Sequence, residues 1–247
     1  MTRTLPAPTT TTRAPRPVGT VLVTGAASGL GRAVARSIAA AGGTPLLLDR
    51  VPVDPEPQLA DAPSVVTDLT DGRASEAAIG RLLADAGGLD GVVTAAGTDR
   101  CGPMAEVPAA EWERVVGVNL LGTAAVIRAA LPALTASRGR IVTVASTLGV
   151  RALPDASAYC ASKFGVVGMT RALAAELAGT VGVTLLVPGG MDTAFFDGRP
   201  EQYQPGPDAQ LNDPAEVADA VLYALTRPDG CEVREMVVCA STEPSWP

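Results

Sequence analysis

Seven short, almost wholly apolar runs recur through this chain, separated by longer alanine-rich stretches. The runs are TVLVT (20–24), PLLLD (45–49), SVVTD (64–68), GVVTA (91–95), RIVTVAS (140–146), VTLLVP (183–188) and EMVVC (235–239). A strand with water on one face alternates polar and apolar residues, whereas a strand covered on both faces does not. These runs therefore predict buried strands. The stretches near 31–42, 73–86, 109–136, 157–178 and 214–226 predict the helices that cover them. Strands alternating with helices of this length imply βαβ units and a parallel sheet. Right-handed crossovers then give an α/β, doubly wound fold with its ligand crevice outside the carboxyl ends of the strands. One domain is expected over 19–247, with no internal repeat or interdomain linker.

Composition removes several classes of function. There is no histidine, and the net charge is −7. A metal centre or a Ser-His-Asp hydrolase loses its usual ligand or base, so no metal is expected. An acidic chain repels phosphate backbones, which argues against nucleic acid as a partner. The four cysteines lack metal-type spacing and read as thiols in a reducing cytosol. No apolar run is expected to span a bilayer, and the first 18 residues lack a secretory core. Rich in Thr, Pro and Arg, residues 1–18 are expected to form a disordered tail. A cytoplasmic protein with no membrane partner is the expectation.

The first run leads straight into TGAASGLG, residues 24–31. A glycine-rich turn between a strand and a helix lets backbone approach a pyrophosphate, and the helix N-terminus offers free N–H groups. Gly25, Ser28, Gly29, Leu30 and Gly31 are the candidate contacts. Asp49, ending the second run, is spaced to accept from the adenosine ribose hydroxyls. Its carboxylate would repel a 2′-phosphate, so NAD is expected in preference to NADP; the neighbouring Arg50 works the other way. Asp68 and Leu69 end the third run, where Asp68 either meets the adenine or caps the next turn. Ala96 and Gly97 keep the end of the fourth run open for close passage of a cofactor.

Tyr159 and Lys163 stand at i and i+4 in YCASK, on one helical face. A fixed ammonium is expected to lower the phenol's pKa and make it a proton donor and acceptor. Lys163 is the single lysine of the chain. Ser146 ends the fifth run and can face the crevice or cap a turn. Asn119 sits inside a helical pattern where Asn is a poor choice, which predicts a local kink or a bound water.

Together these positions resemble the short-chain dehydrogenase/reductase family over about residues 19–240. The shared features are TGxxxGxG as TGAASGLG, Asp49, Asp68-Leu69, Asn119, Ser146, YxxxK as Tyr159 and Lys163, and PGxxxT from Pro188 to Thr193. The resemblance implies a Rossmann-type fold and hydride transfer between NAD(H) and a secondary alcohol or ketone. It makes Tyr159 the acid/base and Lys163 both its partner and a ribose contact. It makes Ser146 the orienter of the carbonyl and Asn119 the keeper of a relay water. Pro188, Gly189, Met191 and Thr193 would hold the nicotinamide end, and the assembly would be a homotetramer or homodimer. Two departures stand out. The family's usual N-N-A-G is TAAG here, which loosens support around Thr94 and Ala95. The CASTEPSWP stretch differs from the glycine-rich finish of acyl-carrier reductases.

Residues 194–212 are expected to form a substrate lid, with Phe195, Phe196 and Tyr203 as apolar surface. Arg100 and Arg151 are candidates to meet an anion. Trp246 is expected either to fray, or to pack at an interface or beside Phe195 and Phe196. An NAD-linked dehydrogenase leads; an NADPH-dependent biosynthetic ketoreductase and a catalytically silent scaffold of the same fold are the alternatives.

Overall fold

A computed structural model describes residues 13–246. All seven strands are parallel and stand in the order β3-β2-β1-β4-β5-β6-β7. They are β1 (Thr20–Thr24), β2 (Thr44–Asp49), β3 (Ser64–Val66), β4 (Gly91–Thr94), β5 (Arg140–Val144), β6 (Gly182–Pro188) and β7 (Glu235–Val238). The helices are α1 (Gly29–Ala40), α2 (Gly72–Ala86), α3 (Ala109–Val116), α4 (Thr123–Ser137), α5 (Ser157–Glu176) and α6 (Pro214–Leu225). Each expected strand and helix is present to within a few residues.

The apolar runs feed two core layers. Val21 and Val23 pack on one side with α1 and α6, whereas Leu22 packs on the other with α2 and α4. Val93 and Val142 join the first layer, and Val92 and Ile141 the second. Successive side chains of a strand point to opposite faces, so a run with no polar position is what a sheet covered on both sides requires. The strand order reverses between β1, which pairs with β2 and β4, and this switch point opens the crevice that ligands of such folds use.

One expectation needs correction. The tail was expected through residue 18, but Arg13 to Val18 lie against the domain. Arg16 donates its amide to the Thr226 carbonyl at 3.1 Å and its guanidinium to that of Arg138 at 2.9 Å. Val18 is buried in the core. The segment carries charge and one apolar residue in the places where the sheet's lower end offers partners. The rest of that tail, residues 1–12, lies outside the described residues. Ala109–Ser137 is continuous helix, long and apolar enough by length and composition alone to cross a membrane, a test that core helices of a fold also pass. One face of it packs inside the fold, against α2, α5 and the sheet, while Leu121 stays exposed.

That rod is not uniform. Between α3 and α4, residues Gly117–Gly122 form a π-helical turn. The extra residue of a π turn widens the ladder and is commonly found at functional sites. Asn119 is in the middle of it, so the irregular stretch of the helix falls at the position where Asn is a poor helix former. Gly122 is required there because a Cβ would come within 2.7 Å of the Leu69 Cβ.

Candidate active site

The carboxyl ends of the strands frame a cleft of about 1110 Å³. Every expected cofactor and reacting residue borders it, Asn119 excepted. Gly25 turns at φ +71°, and a Cβ there would sit 2.9 Å from the backbone of Ala96. A Cβ on Gly31 would drive into the Gly25 carbonyl oxygen. The glycines therefore let the turn fold flat against strand ends and leave its outer side open. Ser28 precedes α1 and makes no side-chain capping bond, so the first-turn amides face the cleft. The Asp49 carboxylate accepts from the Ala27 amide at 3.0 Å, which ties the end of β2 to the glycine turn. Thr193 lies over Gly29, with its methyl 3.4 Å from where a Cβ would be. An open helix N-terminus, bare backbone and a ribose-distance carboxylate fit a dinucleotide.

Asp68 does the turn-capping work: its Oδ1 accepts from the Thr70 amide at 2.9 Å and hydroxyl at 2.8 Å. These bonds hold its carboxyl below the usual range. Ser146 likewise caps locally, accepting from the Leu148 amide at 3.1 Å, while still facing the cleft. The departure at TAAG has a visible consequence. The Thr94 hydroxyl is buried with no hydrogen-bond partner among the described residues. The Thr24 hydroxyl instead accepts from the Ala96 amide at 3.0 Å.

Tyr159 and Lys163 are both buried on α5. The Lys163 Nζ lies 5.6 Å from the centroid of the Tyr159 ring and donates to the Val144 carbonyl at 2.9 Å. The expected lowering of the phenol does not occur. Burial pushes the Tyr159 hydroxyl well above its ordinary range, against a smaller opposing effect of Ser146. The reason is symmetrical. Burial also lowers Lys163 to about 8, so the same dry site disfavours the charged form of both groups.

Asn119 stands behind this pair. Its Oδ1 accepts from the Thr98 amide at 2.8 Å, and its Nδ2 donates to the Thr98 carbonyl at 2.9 Å and to the Ser162 hydroxyl at 3.0 Å. The amide thus clamps the loop after β4 and links it to α5. A Cβ on Gly97 would lie 3.7 Å from the Asn119 Oδ1 and 3.8 Å from the Lys163 Nζ, so this glycine keeps the space between them open.

Several residues at the cleft were not identifiable as partners from sequence. Glu243 reaches back to accept from the Gly190 amide at 2.9 Å. Burial raises its carboxyl, but hydrogen bonds from Ser245 and Gly190 outweigh that and hold it below its ordinary value. The Ser245 hydroxyl, whose proton goes to Glu243, accepts from the Thr147 hydroxyl at 2.7 Å, and Arg151 donates to the Pro244 carbonyl at 2.8 Å. Trp246 is 38% exposed and lies outside the cleft lining. The lid segment carries two short 3₁₀ turns, Ala194–Phe196 and Glu201–Tyr203, and a bridge between Met191 and Asn212 closes its base. Arg199 of that segment pairs with Asp99 at 2.9 Å.

Residues 19–204 match the family model described as short chain dehydrogenase. The chain belongs to the short-chain dehydrogenase family. An uncharacterized oxidoreductase of Staphylococcus aureus is 35% identical over 224 residues, covering 88% of this chain and 95% of its own. The ligand-free aldohexose dehydrogenase of Thermoplasma acidophilum superposes with a TM-score of 0.79 at 25% identity, covering 90% of this chain and 92% of its own. The alcohol dehydrogenase of Thermococcus sibiricus, complexed with 5-hydroxy-NADP, gives a TM-score of 0.79 at 26% identity, over 89% and 95% of the two chains. This short-chain dehydrogenase is thus an oxidoreductase with the single Rossmann-type domain of its relatives.

Proposed function

We propose that this short-chain dehydrogenase transfers a hydride between NAD(H) and a secondary alcohol or ketone, with Tyr159 as acid and base. The observation that carries the reading is the convergence of Tyr159, Ser146 and Lys163 on the cleft that the glycine turn also borders. A bound nicotinamide supplies or accepts the hydride; the protein's task is orientation and proton handling. The Ser146 hydroxyl and the Tyr159 Oη hold the substrate oxygen between them. In reduction the proton on Tyr159 Oη passes to that oxygen, and in oxidation Oη takes it back. The phenol is protonated at neutral pH, as donation requires, and burial tightens its hold on that proton. Lys163 holds the ribose side, and its own proton is easily given up because burial has lowered it to about 8.

The Asp49 carboxylate beside the glycine turn supports NAD(H) over NADP(H). Arg50, exposed at the cleft edge, is the feature that would support the phosphorylated cofactor. A screen of ketones and secondary alcohols read by nicotinamide absorbance identifies a substrate. On that substrate Tyr159→Phe should lower kcat by roughly 10²–10⁴-fold while cofactor affinity stays unchanged. Wild-type turnover by the variant refutes the assignment.

A further inference from the structure

Outside the reacting groups, the cleft holds one largely buried ion pair among the described residues, and it joins the lid to the wall beside Lys163. The Asp99 side chain is 6% exposed and that of Arg199 16%, at 2.9 Å. Asp99 follows Gly97 and Thr98, the stretch that Asn119 clamps. Its carboxylate is fixed from behind: Oδ1 accepts from the Arg100 amide at 2.6 Å, and Oδ2 from the Cys101 thiol at 3.2 Å. Arg199 is held just as firmly. Its guanidinium lies 4.8 Å from the Phe195 ring centroid and 4.7 Å from that of Phe196. The Phe195 ring in turn meets Tyr159, centroid to centroid, at 5.8 Å. One continuous chain of contacts therefore runs from Asp99 through Arg199 and Phe195 to the proposed acid. A second tie lies close by, where the Tyr203 hydroxyl donates to Asp155 at 3.1 Å.

We propose that the Asp99–Arg199 pair is the latch that closes the 194–204 segment over the substrate chamber, and that both are positioning residues for Tyr159. Neither touches the reacting atoms. A buried pair whose partners are both fixed resists separation, because opening leaves one charge unpaired in a poorly solvated place. Closure seats Phe195 on the phenol and removes water from above it. On the phenol the charges of Asp99 and Arg199 oppose one another, so the pair acts on Tyr159 through position rather than through charge. The positioning role rests on the hydride-transfer reading; the latch itself does not.

The test is a double-mutant cycle of Asp99→Asn, Arg199→Gln and the double variant, with two readouts. The first is cleavage of the folded protein by chymotrypsin at Phe195, Phe196 and Tyr203. The second is steady-state kinetics on a substrate found by the screen. Each single variant should be cut about tenfold faster and raise substrate KM about tenfold, a factor equivalent to about 1.4 kcal/mol of lid opening. Cofactor Kd should stay within about twofold, and the double variant should be no worse than either single one, as coupled residues require. Singles that are cut at the wild-type rate overturn the latch, as do strictly additive effects. A lowered melting temperature with unchanged cutting and KM reduces the pair to a structural contact and also overturns it. If the wild type turns over no ketone or alcohol, the hydride reading fails while the protease cycle still decides the latch.

Discussion

Replacing Asn119 by alanine tests whether the π turn exists to serve the site. The substitution removes three hydrogen bonds, two to the Thr98 backbone and one to Ser162. A hydrogen bond contributes about 1 kcal/mol net, and a buried group left unpaired costs about 1–3 kcal/mol. Thr98 is only half-buried, so water recovers part of its loss. Ser162 keeps its bond to the Tyr159 carbonyl at 2.8 Å. The sum is a destabilisation of roughly 2–4 kcal/mol. In a domain of this size, about 1 kcal/mol moves Tm by roughly 2–4 °C, so a fall of roughly 5–15 °C is expected. Urea unfolding should show the same loss as a lower midpoint with an unchanged slope. Turnover should fall as well, because the freed loop carries Gly97 and Asp99 beside Lys163. A variant that loses under about 1 kcal/mol and keeps wild-type kcat would refute the clamp.

Comparing kcat/KM for the two cofactors should show NAD(H) preferred, and Asp49→Ser should narrow the preference; wild-type preference for NADP(H) would assign control to Arg50. Lys163, lowered from 10.5 to about 8 by burial, loses its proton in the folded state before it does in the unfolded state. The Lys163 contribution to stability should therefore rise between about pH 8 and 10, where the unfolded chain still binds that proton, with the Cys101 thiol, raised to about 11, opposing it above about pH 9; Lys163→Met should remove the rising part in urea titrations. Leu121 and Phe164 remain 62% and 46% exposed on the π turn and α5, which supports a dimer or tetramer; light scattering showing only a 25 kDa monomer at micromolar concentration would reject it.

What could be read from the sequence was local or periodic. Unbroken apolar runs announced a sheet covered on both faces, and i, i+4 spacing put Tyr159 and Lys163 on one face of α5. A misplaced Asn announced the π turn. The Asp99–Arg199 pair was not legible, because its partners lie a hundred positions apart and meet only once the lid folds back over β4. Glu243 on Gly190 and Arg16 on Thr226 escaped for the same reason. The direction of the phenol's shift was misjudged because spacing reveals which charges are near but not how dry their surroundings are. Burial settled that question, and burial belongs to the finished fold.

The long rod of α3, the π turn and α4 also bears on how the molecule is made. The α2 helix and β4 against which it packs are synthesised before it, but α5 and β5 come after. For the interval between, a greasy helix of nearly thirty residues leaves the ribosome with only part of its covering available. Nascent segments of this kind attract chaperones and aggregate when those are scarce. Yield of this protein in a cell should therefore respond to translation speed across residues 138–176 more than to its final stability.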